Sequence, residues 1–418
     1  MKRVLIGVAV LVLIAAGAAA AWVWKSRHPS DIRGSASSEF VTTDEPATET
    51  RPQEEVLAEP WPTWGFDLAR THFAPDFHVH PPYELTWNAL GKSLIEFPPV
   101  IAHGRLFFGT NKGRVVAVDI ETGKVAWQHQ FNRCIAASPT VGDGVVYIPL
   151  MIPNPCGKVK NRNAPGYMLA FDEQTGELLW RVQAGAIESS PLLRNGILYF
   201  GSWDKKVYAL DVKTHKPRWV FRTGDEVKGA PAYAYGTIFI GSYDGHVYGL
   251  DALTGKVRWR GSAQSRFGGT GNFYSTPAVA YGRVYIGNTD GKVYAFGARS
   301  GHLLWVKGTK GFVYSSPAVG LRTVYIGSGD GHLYALDAGT GDVRWRFASR
   351  GGVYGAPTVI DDIVYFAVPS RTRTWALDAR TGKQVWTYPD GAYTPAIADE
   401  KHFYLIGHTR VYAFVPTS

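Results

Sequence analysis

Short apolar runs separated by turn residues recur along the chain after about residue 80. One unit contains SSPAVG, TVYIGS, HLYALDA and DVRWRF, all between Ser315 and Phe347. Apolar residues that alternate or run on for four to six positions, bounded by Gly, Asp or Asn, are typical of half-buried or buried β-strands. The pattern therefore predicts four short strands in each unit.

The third and fourth strands of each unit enclose a motif that occurs seven times. The copies are VVAVDIETGKVAW (115–127), MLAFDEQTGELLW (168–180), VYALDVKTHKPRW (207–219), VYGLDALTGKVRW (247–259), VYAFGARSGHLLW (293–305), LYALDAGTGDVRW (333–345) and TWALDARTGKQVW (374–386). A period near 40 residues with four strands per unit is the signature of propeller blades.

The Asp, Thr and Gly of this motif are interpreted as turn residues. Asp bonds backbone N–H groups ahead of it, and Gly takes the positive φ that a tight hairpin requires. Gly297 replaces the Asp in one copy, and His215 replaces the Gly in another. A catalytic or metal site would not tolerate such drift, so the motif is expected to be structural.

The Trp that ends each motif is expected to cover the seam to the next blade, where its indole N–H finds a partner. Residues 391–414 supply three strands without this motif, and YELTWNAL (83–90) supplies a fourth strand with its own Trp. Pairing these termini hides two sheet edges. We therefore predict an all-β, eight-bladed β-propeller over residues 83–414, with seam residues Trp87, Trp127, Trp180, Trp219, Trp259, Trp305, Trp345 and Trp386.

The N-terminus has a different character. Residues 1–28 contain an uncharged run, Val4–Trp24, that is long enough to span a bilayer and ends in interfacial Trp residues. A single transmembrane signal anchor is predicted, with a cleaved signal peptide as the alternative. The propeller would then lie outside the cytoplasm, in the periplasm or extracellular space, although the flanking charges leave the orientation open.

Residues 29–60 hold eight acidic residues and only Arg33 and Arg51 among Ser, Thr and Pro, which predicts a flexible acidic tether. The whole chain has a net charge of +9, and because the tether is acidic, residues 61–418 alone carry +11. Anionic lipid, acidic wall polymers and nucleic acid all attract a basic body. Because no run of Lys or Arg forms a patch, we expect the excess positive charge to be scattered over the surface, with no nucleic-acid partner. We also expect a monomer.

The repeat from Ser315 to Trp345 closely resembles that of pyrroloquinoline-quinone (PQQ)-like propellers. The family includes quinoprotein alcohol and glucose dehydrogenases and the non-catalytic outer-membrane lipoprotein of the β-barrel assembly machinery. WPTWGFDLARTHFAP (61–75) is similar to the segment before the first blade of the dehydrogenases. The resemblance implies that residues 61–82, the lead-in segment, wrap the outside of the propeller.

The enzymes of this family hold PQQ beside Ca²⁺ ligated by Glu, Asn and Asp, commonly under an adjacent pair of disulfide-bonded Cys. Cys134 and Cys156 are separated by 22 positions, so the adjacent pair is absent, and no ligand set can be matched. We therefore expect no cofactor, with PQQ and calcium only if the chain is a dehydrogenase.

Positions three residues before the Pro of each inner strand form a ring at one rim of the channel. They differ between blades: Glu96, Ala136, Glu188, Lys228, Tyr274, Tyr314, Tyr354 and Ala392. A bound ligand or partner would explain why these residues differ between blades. The alternative is a polar, water-filled channel mouth with no occupant. We predict a binding site at Glu96, Glu188, Lys228, Tyr274, Tyr314 and Tyr354.

Three further features of the sequence could carry chemistry. The inserted loop 151–166 contains Cys156, which could bond Cys134 in an oxidising compartment or remain an unrelated free thiol. The glycines of segment 266–277 lead into a strand and not a helix, so a rim loop is expected. His78 and His80 lack other ligand clusters, so no metal site is predicted.

The sequence thus favours a membrane-anchored, extracytoplasmic propeller that binds a protein partner or small ligand as a non-catalytic module in envelope assembly. The alternative hypothesis is a PQQ-dependent dehydrogenase of alcohols or sugars.

Overall fold

A computed structural model describes residues 14–21, 23, 30–41, 59–156, 164–264 and 270–417. Its strands form eight antiparallel four-stranded sheets, and one additional short strand joins the seventh sheet. Blades one to four contain β3 (Val100–Ala102), β4 (Arg105–Gly109), β5 (Arg114–Asp119), β6 (Val125–Gln130); β7 (Thr140–Gly142), β8 (Val145–Leu150), β9 (Pro165–Asp172), β10 (Leu178–Gly185); β11 (Leu192–Arg194), β12 (Ile197–Ser202), β13 (Lys206–Asp211), β14 (Pro217–Arg222); β15 (Ala232–Ala234), β16 (Thr237–Gly241), β17 (His246–Asp251) and β18 (Val257–Ser262).

Blades five to eight complete the ring, with β1 (Phe73–Ala74) beside the seventh and β2 (Tyr83–Leu90) in the eighth. The remaining strands are β19 (Ala278–Ala280), β20 (Arg283–Asn288), β21 (Lys292–Gly297), β22 (Leu303–Gly308); β23 (Ala318–Gly320), β24 (Thr323–Ser328), β25 (His332–Asp337), β26 (Val343–Ala348); β27 (Thr358–Ile360), β28 (Ile363–Val368), β29 (Arg373–Asp378), β30 (Gln384–Tyr388); β31 (Ala396–Ala398), β32 (Phe403–Ile406) and β33 (Arg410–Pro416), with one 3-10 turn, η1 (Pro369–Arg371).

Burial orders the strands within each blade from the axis outward. The first strand is three residues long and largely buried, as in β23, and the first strands of neighbouring blades contact one another around the axis. The second and third strands, such as β24 and β25, are almost wholly buried between blades. The fourth strand alternates exposed and partly buried residues, as in β26, so it forms the outer edge.

The eight-bladed, all-β prediction is confirmed, including the closure of the ring. β2 pairs antiparallel with β33, so the N-terminal strand becomes the outer strand of the blade that contains β31 and β32. This pairing joins residues more than 300 positions apart, covers the edge of β33 and leaves β2 as the outer edge strand, as the fourth strand is in every other blade.

The seam between blades is a contact between an outer-strand Trp and the turn of the following blade. Trp305 is fully buried, donates its indole N–H to the carbonyl of Ala338 at 3.0 Å, and lies over Gly341. A Cβ at Gly341, whose φ is +77°, would approach the Trp305 ring to 2.9 Å. The motif Gly is therefore needed for both the turn and the seam. Five other Trp residues make the same N–H bond to the next turn: Trp87, Trp127, Trp219, Trp259 and Trp345.

The motif Asp closes its own turn. Asp337 accepts the backbone N–H groups of Gly339 and Thr340 at 2.9 and 2.8 Å. The equivalent Asp251 also bonds Arg258 at 2.7 Å and the Thr254 hydroxyl at 2.8 Å, and these bonds lower its pKa to about 2. The turn is therefore stabilised by its own Asp and Thr residues, as the motif predicts.

The lead-in segment lies inside the ring, so the expectation that it wraps the outside is wrong. Trp61 and Trp64 are buried, and β1 pairs in parallel with the inner strand β27. Carbonyls of residues 61–72 accept the N–H of the middle residue of six inner strands: Ile101 to Trp61 (2.7 Å), Val141 to Pro62 (2.8 Å), Tyr233 to Leu68 (2.7 Å), Val279 to Ala69 (2.9 Å), Val319 to Thr71 (2.8 Å) and Val359 to His72 (2.8 Å).

Arg70 fastens this segment to the third and fourth blades. Its guanidinium is fully buried and donates to the carbonyls of Pro191 and Pro231 at 2.9 and 3.0 Å and to the Thr63 hydroxyl at 2.7 Å. Burial lowers its pKa to about 9. Buried charge of this kind requires hydrogen-bond partners, which the residues just before β11 and β15 and Thr63 of the segment itself provide.

The N-terminal predictions meet the structure only in part. Residues 14–21 and 23 are helical, whereas most of the predicted span and residues 42–58 of the predicted tether lie outside the described residues. Within the described portion, the structure holds no helix with the length and apolarity that crossing a bilayer requires. Residues 30–41, which the sequence assigns to the tether, rest on blades five and six.

The seam contact predicts the effect of removing one indole. Trp305→Ala should lower the free energy of unfolding by about 3 to 5 kcal/mol, because it empties a buried site and frees a bonded carbonyl. Leu253→Ala, at a side chain that is 78% exposed, is the control and should change the free energy by less than about 0.5 kcal/mol. Urea unfolding measures both, and equal midpoints for the two variants would contradict the seam role.

Candidate functional site

The meander of each blade brings eight equivalent loops to one rim of the ring. Each inner strand begins at this rim, runs to the opposite face, and is followed by a second strand that returns. Residues that precede the inner strands therefore lie at the same rim as the turns between second and third strands. The contact of Trp203, in such a turn, with Glu188, which precedes β11, shows this arrangement.

A cavity of about 320 Å³ opens at this rim, and we call it the cup. Its volume lies at the lower end of the range for small-ligand sites. Trp64 of the lead-in segment lines it and is only 2% exposed, so the channel does not run open behind it. The lining residues are Trp64, Glu96, Phe97, Tyr274, Tyr314, Ser316, Tyr354, Gly355, Ala356, Tyr393 and Thr394.

Aromatic rings form one wall of the cup. Tyr314 is the centre of this wall, with ring centroids 5.4 Å from Tyr274, 6.0 Å from Tyr354 and 5.9 Å from Phe312. Tyr354 is 41% exposed and Phe312 is 57% exposed at the mouth. Exposed aromatic rings beside a concave site offer contact area at low entropic cost.

Glu188 is the acceptor for two aromatic donors. The Tyr274 hydroxyl donates to one carboxylate oxygen at 2.7 Å, and the Trp203 indole N–H donates to the other at 2.9 Å. Burial, and then the charge of Glu188, raise the pKa of Tyr274 well above its ordinary value. The Tyr274 hydroxyl therefore stays protonated and acts as a donor.

Lys228 stands among acidic and aromatic groups. Its ammonium lies 3.8 Å from Glu188 and 3.4 Å from Glu226, and it sits over the rings of Trp203 at 4.2 Å and Tyr243 at 4.9 Å. One cation is thus shared between two buried carboxylates. With Glu96 nearby, the region of the cup carries more negative than positive groups.

Glu96 is the carboxyl group that lines the cavity directly. Burial, followed by the charge of Glu188, raises its pKa to about 7. It therefore changes between a hydrogen-bond donor and a carboxylate near neutral pH, which suits a ligand or partner that brings a positive charge or a donor.

The structure brings the six predicted rim residues together. Glu96, Tyr274, Tyr314 and Tyr354 line the cavity, whereas Glu188 and Lys228 lie beside it through Tyr274 and Trp203. The other two ring positions, Ala136 and Ala392, are buried in the core. The sequence does not identify Trp64 as a lining residue, because residues 61–82 are expected on the outside of the propeller. It also does not identify Tyr393, which follows the ring position Ala392 in the blade that both termini complete.

The inserted loop lies next to the cup. Cys134 and Cys156 form a disulfide, and their cluster is packed against Phe97 and Trp203. Residues 157–163 of this loop lie outside the described residues, as do residues 265–269 of the predicted glycine-bearing rim loop. The disulfide holds the start of the insertion at the side of the site.

His78 and His80 meet a residue that the sequence does not associate with them. His78 Nδ1 and His80 Nε2 lie 2.8 and 2.9 Å from the same carboxylate oxygen of Asp361. The pair with Asp361 raises the pKa of the exposed His78. Both histidines thus hydrogen-bond Asp361, and none of the three residues lines the cup.

Comparisons with known proteins agree with the fold and the repeat. The profile of a family described as outer membrane protein assembly factor BamB matches residues 63–149, 164–312 and 295–416. BamB of Nitrosomonas eutropha is 27% identical over 128 residues, which are 30% of this chain and 28% of that protein. The dehydrogenase subunit of a quinone alcohol dehydrogenase of Gluconobacter oxydans is 32% identical over 90 residues, 19% of this chain and 11% of that protein.

A solved europium-containing methanol dehydrogenase has the same fold, with a TM-score of 0.72 at 12% identity over 85% of this chain and 98% of that one. The chain thus matches less than a third of the length of the two curated relatives, and the resemblance noted in the repeat is confirmed. Because the relatives include both an assembly factor and dehydrogenases, the choice between these functions depends on the site.

The raised pKa of Glu96 predicts a pH-dependent stability. Because the folded-state pKa of about 7 exceeds the unfolded value, the folded protein binds the extra proton and stability rises as the pH falls from 8 to 5. The gain should be at most about 3 kcal/mol and absent in Glu96→Gln. Urea unfolding at pH 8 and pH 5 measures this gain. The control is Glu121→Gln, at an exposed residue in the turn between β5 and β6. An unchanged pH profile in Glu96→Gln would disprove the assignment.

Proposed function

The chain belongs to the family of PQQ-like β-propellers described as outer membrane protein assembly factor BamB, and on that basis we propose that it is a non-catalytic binding module in envelope protein assembly. The cup is its contact site for a protein partner. The observation that carries the proposal is the cup with its Glu96 carboxyl and its aromatic wall, in which Tyr354 is exposed and the exposed Phe312 packs on Tyr314.

Charge indicates the chemistry of the partner. The body of the chain is basic, yet Glu188 and Glu226 share the cation Lys228 beside the cup, and Glu96 in the lining lies close enough to Glu188 to feel its charge. A partner segment that inserts a Lys or Arg side chain would gain a carboxylate at Glu96 and the faces of the Tyr rings. A cavity of about 320 Å³ has room for one or two such side chains.

The location belongs to the proposal. An N-terminal anchor in residues 1–28 would hold the propeller outside the cytoplasm, where Cys134 and Cys156 can be oxidised. A monomer with a single-pass anchor is the simplest arrangement that leaves the cup free for a partner.

A PQQ-dependent dehydrogenase is the second candidate, supported by the curated quinone dehydrogenase relative and by the Tyr wall, which could stack on a planar ring. The residues of the cup do not fit the quinone. PQQ carries three carboxylates, whereas the described lining residues contain no Arg or Lys, and Lys228 is already paired with Glu188 and Glu226. The disulfide joins residues 22 apart and is not the adjacent pair of the enzymes.

The binding proposal predicts a rim-dependent partner. Crosslinking in membranes followed by affinity purification should recover a reproducible partner that is reduced about tenfold or more in Phe312→Ala/Tyr354→Ala, because two exposed aromatic contacts are lost. Leu253→Ala, exposed on the opposite face, should retain it. Equal recovery with both variants would reject the cup as the interface.

The charge argument predicts that PQQ does not bind. Titration of the purified chain with PQQ, with and without Ca²⁺, should show no saturable change in Tyr and Trp fluorescence, because the carboxylates of the quinone would face Glu96 and Glu188. Stoichiometric binding together with dye reduction by alcohols or sugars would instead support the dehydrogenase and reject the proposed function.

A further inference from the structure

Residues 31–41, which we call the strap, cross the outer edge of blade five and end on the face opposite the cup. The motif turns join third and fourth strands, and the turns after the inner strands lie at this same face, away from the rim where the inner strands begin. The strap contacts such turns, Arg283 at the start of β20 and the outer strand β22, where Asp31 accepts the N–H of Gly308 at 2.8 Å. It touches Tyr281, the 297–302 turn and the 339–342 turn.

The first half of the strap adds to the edge of blade five. Ile32 and Val306 exchange both backbone bonds, at 3.0 and 2.9 Å, as neighbours in an antiparallel sheet. The Gly34 N–H donates to the Thr340 carbonyl at 2.9 Å. Arg33 contacts Asp342 through Nη2 at 2.7 Å and Nε at 2.9 Å, which covers the next blade as well.

Arg283 is a receptor residue for the second half. Its guanidinium is fully buried and donates to the carbonyls of Ser35 at 2.7 Å, Ser38 at 2.5 Å and Glu39 at 3.1 Å. The same group reaches the carbonyl of Gly339 at 2.5 Å, and the ring of Phe40 lies 4.9 Å from it. A buried cation with this many strap carbonyls around it is a built site and not an incidental surface contact.

Glu39 explains why one motif lacks its Asp. In the regular turns the Asp carboxylate accepts the Thr hydroxyl three residues later, as Asp251 does from Thr254 at 2.8 Å. In the turn that begins at Gly297, the hydroxyl of Ser300 donates instead to Glu39 at 2.6 Å. A Cβ at Gly297 would overlap the Glu39 carboxylate. The missing side chain leaves the space that the strap fills.

We propose that the strap is a dedicated internal ligand of blades five and six, in which Glu39 supplies the carboxylate absent at position 297. It runs along the outer edge of blade five, from Asp31 at the rim end of β22 to Val41 at the turns of the far face. This docking does not depend on the proposed function.

Hydrogen exchange on the full chain tests the docking. Amides of residues 32–41 should exchange about tenfold or more slowly than an unbonded segment. Gly297 does not have a positive φ, so an Asp at this position can adopt the regular turn. The new side chain in Gly297→Asp should displace Glu39 and remove this protection without lowering the unfolding midpoint. Glu39→Gln should weaken it in part, and Glu121→Gln is the control. Unchanged exchange in Gly297→Asp would overturn the strap.

Discussion

The structure depends on how the inner edges of eight converging sheets are satisfied. Each blade presents one edge of its inner strand to the axis, where an unpaired and buried N–H costs free energy. The lead-in segment removes that cost by running around the axis and offering one carbonyl after another to the inner strands, while Arg70 serves the carbonyls of Pro191 and Pro231. Because the same segment places Trp64 under the rim, the channel becomes a cup. The cup is therefore a consequence of how the axis is closed.

The seams follow a second, repeated rule in which a Trp from one blade covers the Gly of the next turn. Departures from this rule are informative because each one is compensated by a specific neighbour. His215, in place of the Gly, brings its ring within 4.9 Å of Trp180, and Gly297, in place of the Asp, receives Glu39 from the strap. A position that drifts within an otherwise regular repeat thus marks a place where another part of the chain, or a partner, makes contact.

The cup gives the family fold a particular chemistry. Its Tyr wall would suit a planar ring or a cation equally. Its charges suit the cation better, because Glu188 and Glu226 share Lys228, and the pKa of Glu96 is raised to about 7 beside them. Electrostatics therefore favours a positively charged guest in the proposed site. The fold is shared by an assembly factor and by dehydrogenases, so the proposal rests on these side chains and not on the architecture.

The sequence by itself determined the repeat, the eight blades, the closing strand YELTWNAL and the rim positions, because each is a local pattern multiplied by a fixed period. Six rim residues could be named for this reason. Only the tertiary structure decided that residues 61–74 lie inside the ring, that Trp64 and Tyr393 complete the cup, and that residues 31–41 dock on blades five and six. These segments occur once and have no repeat to compare with. Their positions are set by unpaired N–H groups, a buried Arg283 and a vacant turn, all of which exist only after the blades have assembled.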